Sequence, residues 1–415
     1  METFLVGGAV RDRLLGRPVS ERDYVVVGAT PERMESLGFR PVGRDFPVFL
    51  HPQTHEEYAL ARTERKTARG YRGFSFNASP EITLREDLAR RDLTINAMAE
   101  AADGTLIDPF GGRRDLEARV LRHVSAAFVE DPVRLLRVAR LAAQLAPWGF
   151  HIAPETGTML RELVRNGEVD ALVPERVWAE CEKALASPAP VRFFQILRDT
   201  GALEVLFPEI AALFGVPQPP RYHPEIDTGV HTFMVLEQAA RLSPRPEVRF
   251  AALVHDLGKA DTPTETLPSH RGHEERSVAR IRALAERLRV PNRYRDLAIR
   301  VARHHGLVHR VFELRPKTVV KLLEAIDVLR RPEGLEPFLQ AVEADYRGRG
   351  GGFPDQSYPQ ADAVRRAAEA VLAVSPQPLL DAGLRGAALG EALRRERIRA
   401  VAALDLQRSR NGLDS

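Results

Sequence analysis

The sequence is poor in the features of secreted and membrane proteins. Its 415 residues include one cysteine, Cys181, so no internal disulfide can form. It has no apolar run of about 18 residues and no charged-then-apolar leader, so we expect neither a membrane-spanning helix nor a secretory signal. These absences predict a protein of the reducing cytoplasm that does not bind a membrane.

A strong net charge is also missing, since 60 Lys and Arg residues oppose 57 Asp and Glu residues. The overall balance therefore excludes no class of partner. The charges are less evenly distributed along the chain, because residues 280 to 321 contain twelve Lys or Arg and only three acids. Such an excess attracts phosphates, but an ordinary solvated helical face explains it equally well.

The composition is that of a globular protein, with 44% hydrophobic and 28% charged residues, and the length predicts about two to four compact units. From about Asp115 onward, apolar residues recur with the i, i+3, i+4 spacing of helices. Clusters of Pro and Gly at 215–224 and 348–354 indicate joints. Before Asp115 the pattern is mixed α/β, with these short β-like runs: FLVGG, YVVVG, PVFLH, EYALA, LTINAMA and GTLIDPF.

The stretch FLVGGAVRDRLLG near the amino terminus has the residues of a phosphate-binding turn. Gly7 and Gly8 allow close approach of the backbone and leave amide groups available to an anion. Arg11 adds a permanent positive charge to the same turn. A triphosphate fits this description, although a plain tight turn fits these residues as well.

Two acids, Glu21 and Asp23, stand one residue apart at the start of the run YVVVG. Residues i and i+2 of a strand point to the same face, so the two carboxylates would lie side by side. Like charges at this distance favour a bound cation, and carboxylate oxygens suit Mg²⁺. A surface acid pair is the alternative.

Two further segments, RRDLTINA and EDPVRLLRVAR, combine arginines with acids. Arg134, Arg137 and Arg140 are spaced by three residues, so on a helix they share one face. Three like charges on one stripe indicate an anionic partner. Asp131 before Pro132 has a simpler alternative role as a helix cap.

Histidines and acids cluster in the second half of the chain, on segments with helical periodicity. Imidazole with carboxylate suits Ni²⁺, Mn²⁺, Zn²⁺ or Fe²⁺ bound to a hydrolytic water. Each histidine alone is explained by an ordinary surface or hydrogen-bonded position, but the set favours a metal site. Its members are His231, His255, Asp256, His273, His304, His305 and Asp345.

These motifs, in this order and spacing, resemble those of the class II tRNA nucleotidyltransferases, the CCA-adding enzymes of the polymerase-beta-like superfamily. The similarity is carried by GGAVRDRLLG with its acid pair, RRDLTINA, DPFGG and EDPVRLLRVAR. The later motifs HPEIDTGVHT, VHDLGK and RHHG resemble the bacterial multifunctional CCA proteins, which have an HD-type phosphohydrolase domain.

The resemblance implies an α+β protein with four parts. A polymerase-beta-like mixed nucleotidyltransferase head, 1–122, precedes an all-α neck and body, 123–215. An α-helical HD domain, 225–347, and a helical tail, 355–415, follow. The tail has no functional interpretation.

The resemblance also implies roles for individual residues. Gly8 and Arg11 would bind the triphosphate, and Glu21 and Asp23 would hold the catalytic Mg²⁺. Glu21 departs from the family, which usually has Asp there, and Glu57 falls where such enzymes can place a third carboxylate. Further nucleotide contacts would come from Arg91, Arg137 and Arg140, with Asp131 and Arg134 reading the base.

For the HD domain, the resemblance implies a site for Ni²⁺ or another transition metal. Its ligands would be His255, Asp256 and His305, with His231, His273 and Asp345 as further candidates. The implied substrates are 2′,3′-cyclic phosphates, 2′-nucleotides and phosphate monoesters. A helical domain that only supports tRNA binding is the alternative.

The implied activity is addition of CCA to the 3′ end of tRNA from CTP and ATP, without a template. We expect tRNA, CTP and ATP as partners and a monomer or weak homo-oligomer. Two alternatives stay open: a bacterial poly(A) polymerase, which shares the head motifs, and a non-catalytic tRNA-binding protein, if Glu21 disables the metal site.

Overall fold

A computed structural model describes residues 1–19, 21–42, 48–66, 74–404 and 406 of the chain. Contacts along the chain divide it into two compact units, Met1–Leu206 and Phe207–Ser415. This division is coarser than the four parts expected from the sequence, which stay a prediction. The end of the expected tail, at 405 and 407–415, lies outside the described residues.

The first unit is built on a mixed seven-stranded sheet, with the order β3-β4-β5-β2-β1-β8-β9. Two further strand pairs, β6–β7 and β10–β11, lie outside this sheet. The strands are β1 (Glu2–Val6), β2 (Asp23–Val27), β3 (Arg40–Val42), β4 (Val48–Leu50), β5 (Glu57–Leu60), β6 (Thr63–Lys66), β7 (Phe74–Asn77), β8 (Ala99–Glu100), β9 (Leu106–Ile107), β10 (Val120–Leu121) and β11 (His151–Ile152).

The centre of the sheet is buried on both faces, which explains the uninterrupted apolar run of β2. Val25 packs into one hydrophobic cluster and Val26, its neighbour, into another on the opposite face. The central strands β1 and β2 are antiparallel, whereas β2 and β5 are parallel and place Asp23 opposite Glu57. The start of β2 and the start of β5 therefore lie at the same edge of the sheet.

Helices alternate with the strands along the chain, and after β11 the first unit is helical. Helix α5 packs against α7 and α8, and its buried apolar side chains form much of this packing. The helices of this unit are α1 (Gly8–Leu14), α2 (Pro31–Ser36), α3 (Leu84–Ala89), α4 (Gly112–Glu117), α5 (Val133–Leu145), α6 (Pro154–Arg165), α7 (Pro174–Leu185), α8 (Pro190–Thr200) and α9 (Ala202–Leu206).

The second unit is helical throughout its described part. Helices α11, α12, α14 and α16 pack on one another, and α15, α17 and α19 form a second group. The helices are α10 (Pro208–Ala211), α11 (Thr228–Leu242), α12 (Pro246–Val254), α13 (His273–Arg287), α14 (Asn292–His309), α15 (Pro316–Ala325), α16 (Leu335–Arg347), α17 (Pro359–Leu372), α18 (Gln377–Asp381) and α19 (Gly386–Ala403).

The predicted fold class, a mixed head followed by helices, is confirmed. One expected strand is wrong, because LTINAMA forms a 3-10 turn over Thr94–Asn96 before the short strand β8. Within the described residues, no helix combines the length and the apolar character needed to cross a membrane.

Candidate active sites

A cavity of about 980 Å³ in the first unit brings together the predicted residues of the head and of helix α5. These residues are separated by more than a hundred positions in the sequence. They line the cavity together with the predicted third carboxylate. The set comprises Gly8, Arg11, Glu21, Asp23, Glu57, Arg91, Asp131, Arg134, Arg137 and Arg140.

The carboxylates of this cavity lie at the sheet edge. Asp23 begins β2 and pairs in register with Glu57, the first residue of β5. Glu21 precedes the strand and is exposed, so the strand geometry expected for the acid pair applies only to Asp23. In the described residues, Glu21, Asp23 and Glu57 do not form a compact set with ligand atoms within 4.8 Å of one another.

The environment of Asp23 fits a bound cation. Burial raises the pKa of its carboxyl group and the charge of Glu21 raises it further, against the opposing effect of Arg91. The charged carboxylate of Asp23 is therefore less stable in the protein than in water. A divalent cation held by hard oxygen ligands would reverse this preference.

Of the two glycines in this turn, Gly7 is the one whose backbone conformation favours glycine. It has a φ of +73°, and a Cβ there would lie 3.0 Å from Nη1 of Arg91. At Gly8, the nearest atom to an added Cβ would be a guanidinium nitrogen of Arg11 at 3.5 Å, an ordinary contact. Gly7 thus lets Arg91 approach the turn, whereas Gly8 lines the cavity.

A chain of polar contacts connects the glycine turn to helix α5. Arg11 donates to Oδ1 of Asn96 at 2.7 Å, and the Asn96 amide donates to Oδ1 of Asp92 at 3.0 Å. Nε of Arg137 then donates to Oδ2 of Asp92 at 2.8 Å. Asp92 is buried, but Arg137 and these donors hold the pKa of its carboxyl group well below the usual range. Both arginines are thereby fixed in the cavity wall.

The proposed base-reading residues also have partners within the protein. Arg134 is buried and donates to the carbonyl oxygens of Ala127 and Arg90, at 2.8 and 2.6 Å. Asp131 accepts two bonds from Arg176, at 2.8 and 3.2 Å. It also accepts from the N–H of Val133 at 3.2 Å, so it contacts the start of α5, although the residue at the N-cap position is Pro132 and not Asp131 as the alternative expected.

Sequence reasoning missed the contribution of helix α7. Arg176 binds Asp131, and Glu180 accepts from Arg140 at 2.5 Å. Lys183 lines the same cavity. Their spacing in ERVWAECEK, four residues and then three, places them on one helix face and was the available signal.

The predicted metal ligands of the second unit come together in one buried cluster, named here the His/Asp cluster. Its histidines converge from different helices: α11, the end of α12, the start of α13, and α14. Groups of three of these side chains hold their ligand atoms within 4.8 Å of one another. The cluster consists of His231, His255, Asp256, His273, His305 and Asp345.

Backbone carbonyls fix the tautomers of three of these histidines. Nδ1 of His255 lies 2.8 Å from the Ala252 oxygen, and Nδ1 of His305 lies 3.0 Å from the Ala302 oxygen. Nδ1 of His273 has the same kind of partner, at 2.9 Å. A carbonyl only accepts, so each Nδ1 carries the proton and each Nε2 presents a lone pair when the ring is neutral. This is the arrangement of a metal-binding histidine.

The Nε2 atoms face two carboxylates. Those of His255 and His273 each lie 3.2 Å from an oxygen of Asp256, and Nε2 of His231 lies 3.1 Å from Oδ1 of Asp345. Nε2 of His255 and Oδ1 of Asp256 are buried and have no hydrogen bond of acceptable geometry to a described residue. Buried polar atoms of this kind fit a cation between them.

The charges of the cluster support the same interpretation. Burial lowers the pKa of His255, but Asp256 and Asp345 outweigh it and raise the pKa to about 10. Burial lowers the pKa of His305 to about 3. The two carboxylates thus require positive charge nearby, which a proton on His255 supplies in the protein alone. A metal ion would supply it in place of that proton.

A surrounding layer of side chains was missed by the sequence reasoning. Oε1 of Glu225 lies 2.9 Å from Nδ1 of His231, and Nε2 of His309 lies 2.7 Å from Oδ2 of Asp345. Nζ of Lys259 lies 2.5 Å from Oδ2 of Asp256. The sequence HDLGK could have indicated this contact, because Lys259 follows Asp256 by three residues. His304, one of the clustered histidines in the sequence, is not in any of the compact groups of described residues.

Three family models match the chain, one after another. The Poly A polymerase head domain matches residues 3–122, and the probable RNA and SrmB- binding site of polymerase A matches residues 149–214. The HD domain matches residues 228–331. The matched segments include the cavity residues of the head and of α7 and most of the His/Asp cluster, whereas Asp131 and the arginines of α5 lie between the first two matches.

Solved structures support the fold. A CCA-adding enzyme in an apo form has a TM-score of 0.65 at 21% identity, over 96% of this chain and 88% of that chain. A Thermotoga maritima CCA-adding enzyme complexed with tRNA has a TM-score of 0.63 at 21% identity, over 99% and 91%.

Relatives with high identity extend over nearly the full length. The multifunctional CCA protein of Thioalkalivibrio sulfidiphilus is 66% identical over 97% of this chain and 98% of its own. That of Methylococcus capsulatus is 65% identical over 99% of this chain and 96% of its own. The family expected from the motifs is confirmed, and the chain belongs to the multifunctional CCA proteins.

Proposed function

We propose that the first-unit cavity is where this protein adds C and A residues to the 3′ end of tRNA, and that the His/Asp cluster hydrolyses phosphate esters. The observation that carries the first assignment is the convergence of the ten predicted head and α5 residues in one cavity. The orphaned buried atoms His255 Nε2 and Asp256 Oδ1 support the second. Membership of the family supports the pairing of both activities in one chain.

For nucleotidyl transfer, Glu21 and Asp23 would hold Mg²⁺, with Glu57 beside Asp23. Bound Mg²⁺ supplies charge neutralisation at the α-phosphorus and activation of the attacking 3′-hydroxyl. The chain's own residues position the substrates. Arg11 and Arg91, which line the cavity beside the glycine turn, would bind the triphosphate of CTP or ATP.

Base selection is assigned to Asp131 and Arg134. Cytosine and adenine each present an exocyclic amine beside a ring nitrogen acceptor, which a carboxylate and a guanidinium satisfy. Guanine and uracil would set a carbonyl against the carboxylate and be rejected. Arg176 donates to the carboxylate of Asp131 in the free protein. Because a carboxylate oxygen accepts more than one hydrogen bond, Asp131 can contact the base and Arg176 at the same time.

For hydrolysis, His255, Asp256 and His305 would hold Ni²⁺ or another transition metal, with His231, His273 and Asp345 as further ligands. A bound metal supplies an activated water. Neutral imidazoles with carboxylates suit such ions better than Mg²⁺. The proposed substrates are 2′,3′-cyclic phosphates, 2′-nucleotides and phosphate monoesters. We also propose a cytoplasmic location and a monomer or weak homo-oligomer.

One assay separates the candidate functions of the first unit. Purified protein is incubated with tRNA ending before CCA, with each nucleoside triphosphate alone and in mixture, and the products are sized. We expect a three-nucleotide extension that stops. A long tail made from ATP alone would indicate a poly(A) polymerase, and no extension would indicate a non-catalytic tRNA-binding protein.

The variant His255→Ala tests the assignment of the second unit. It removes one ligand from a cluster whose geometry depends on all of them, so phosphatase and cyclic phosphodiesterase activity should disappear. Addition of CCA should survive, because the first-unit cavity keeps its own carboxylates and arginines. Loss of CCA addition in a folded variant would instead assign the HD unit to tRNA docking.

A further inference from the structure

Two segments that looked like joints in the sequence pack against each other beside the His/Asp cluster. The N–H of Gly350 donates to Oε2 of Glu225 at 3.0 Å, and a Cβ on Gly351 would lie 3.2 Å from Pro224. The other oxygen of Glu225 contacts Nδ1 of His231 at 2.9 Å. A single buried carboxylate therefore connects the glycine-rich loop 348–352 to a proposed metal ligand.

This loop carries Arg349, whose guanidinium lies over two aromatic rings. Its Cζ is 5.3 Å from the Tyr346 ring centroid and 5.8 Å from that of Phe353. Nε of Arg349 is buried, and the described part of the chain offers it no hydrogen-bond partner. Nε of nearby Arg347 is also buried without a partner among the described residues, but its guanidinium has an acidic neighbour, with Nη2 lying 2.7 Å from Oε1 of Glu343. A guanidinium that lies over aromatic rings and has no acidic partner among the described residues favours an anionic ligand.

The aromatic rings place Arg349 next to the cluster. The Tyr346 ring lies 4.9 Å from the Tyr358 ring and 6.4 Å from His309. The Tyr358 hydroxyl and Nδ1 of His309 are 2.7 Å apart, and Nε2 of the same histidine reaches Asp345. The charge of Arg349 also contributes to the lowered pKa of His309, after burial as the main cause.

We propose that Arg349 binds the phosphate group of the ester that is hydrolysed at the His/Asp cluster, with Tyr346 and Phe353 holding its guanidinium in place. This inference rests on the proposed hydrolytic function. A planar guanidinium donates two parallel bonds to phosphate, which fixes orientation as well as charge. Stacking on aromatic rings orients the guanidinium before the ligand arrives.

The charges around the cluster favour such a residue. Glu225, Asp256 and Asp345 all carry carboxylates that repel a phosphate, and the pKa of each is lowered. The other nearby cation, Lys259, already contacts Asp256 and Gln218, both at 2.5 Å. Arg349, whose buried Nε has no partner among the described residues, can therefore contact a phosphate in addition to the proposed metal.

The test compares Arg349→Gln with the matched control Arg347→Gln, which removes the same charge from a residue paired with Glu343. With p-nitrophenyl phosphate and adenosine 2′-monophosphate, Arg349→Gln should raise KM by about ten- to hundredfold, as expected for loss of a charge-assisted bond. The kcat and the metal content should change little. Arg349→Lys should recover part of the loss, and Arg347→Gln should behave like the parent protein.

A binding measurement keeps the inference separate from the hydrolytic activity. Calorimetric titration of the metal-loaded protein with inorganic phosphate should show weaker binding for Arg349→Gln by a similar factor, with an unchanged circular dichroism spectrum. Equal phosphate affinity and equal KM in the parent and variant would overturn the proposal, as would loss of metal from the variant. If the parent protein binds phosphate through Arg349 but hydrolyses no ester, the proposed hydrolytic function fails and the anion site stands.

Discussion

The two candidate sites of this protein are built in opposite ways. The first-unit cavity measures about 980 Å³ and is lined by long charged side chains from strands, turns and helices. The His/Asp cluster is compact, and most of its side chains are buried against helices. A wide cavity whose arginines can contact a phosphate in addition to their acidic partners suits a large anionic substrate. A small buried cluster suits a metal ion.

The difference extends to how each site satisfies its polar groups. In the cavity, arginines are paired with acids, such as Arg137 with Asp92 and Arg140 with Glu180. A triphosphate can enter by sharing these donors. In the cluster, backbone carbonyls fix the histidines, and some inner atoms are left without partners. The cavity also has such an atom, because Nε of Arg91 is buried without a partner among the described residues, so the cluster differs mainly in that the ligand atoms of several side chains converge.

The largest effect is expected from Asp23→Ala. Loss of this carboxylate should slow addition of both C and A by about 1000-fold or more, because a cation bound there contributes several kcal/mol. The melting temperature should stay the same or rise, since burial and Glu21 raise the pKa of Asp23 and disfavour its charge at neutral pH. Single-turnover kinetics and thermal unfolding measure the two effects. C addition near the parent rate would contradict the assignment.

Removal of the negative charge of Glu225, which contacts His231 from outside the cluster, should have the next largest effect. Glu225→Gln should weaken metal binding about ten- to hundredfold, because a charged carboxylate 2.9 Å from Nδ1 favours the ring orientation that points Nε2 into the cluster. Metal affinity is measured by competition with a chromophoric chelator. Glu237→Gln, in an exposed pair with Arg241 on the same helix, is the control and should bind metal normally. Unchanged affinity in Glu225→Gln would limit Glu225 to holding the loop.

Asp131 and Arg176 should have different effects on base selection in the cavity. Asp131→Ala should weaken rejection of UTP and GTP by about ten- to hundredfold, because the repelling acceptor is removed. Misincorporation is measured for each triphosphate on tRNA ending before CCA. Arg176→Ala removes the partner of Asp131 and keeps the carboxylate, so it should slow addition without changing preference. The same preference in Asp131→Ala as in the parent would leave Asp131 only its role at the start of α5.

The smallest effect is expected from Glu21→Asp, which restores the usual family residue. Glu21 is exposed and precedes β2, so the backbone there can adjust to a shorter side chain. The rate of C addition should stay within about tenfold of the parent, a difference of at most about 1.4 kcal/mol in activation free energy. Complete loss of activity would mean that the local backbone depends on the longer side chain.

Local patterns in the sequence predicted more of the residues than of their contacts. The spacing of Arg134, Arg137 and Arg140 predicted one helix face, and they lie on α5. The glycine turn predicted a close approach, but only the structure shows that Gly7 makes room for Arg91. The predicted strand LTINAMA failed because its alternating apolar residues are buried in a 3-10 turn, and short apolar runs do not distinguish these states.

The sequence by itself determined the residue types of both sites, because carboxylate pairs, arginine stripes and His-Asp motifs depend on neighbours a few positions apart. Only the tertiary structure decided which side chains complete them. Arg137 and Asp92 are 45 residues apart, and Glu225 and Gly350 are 125 apart. Contacts at this separation follow from how whole helices and strands pack, and local periodicity contains no record of that packing. For the same reason, the sequence did not show that the Pro-rich and Gly-rich segments pack against each other beside the His/Asp cluster.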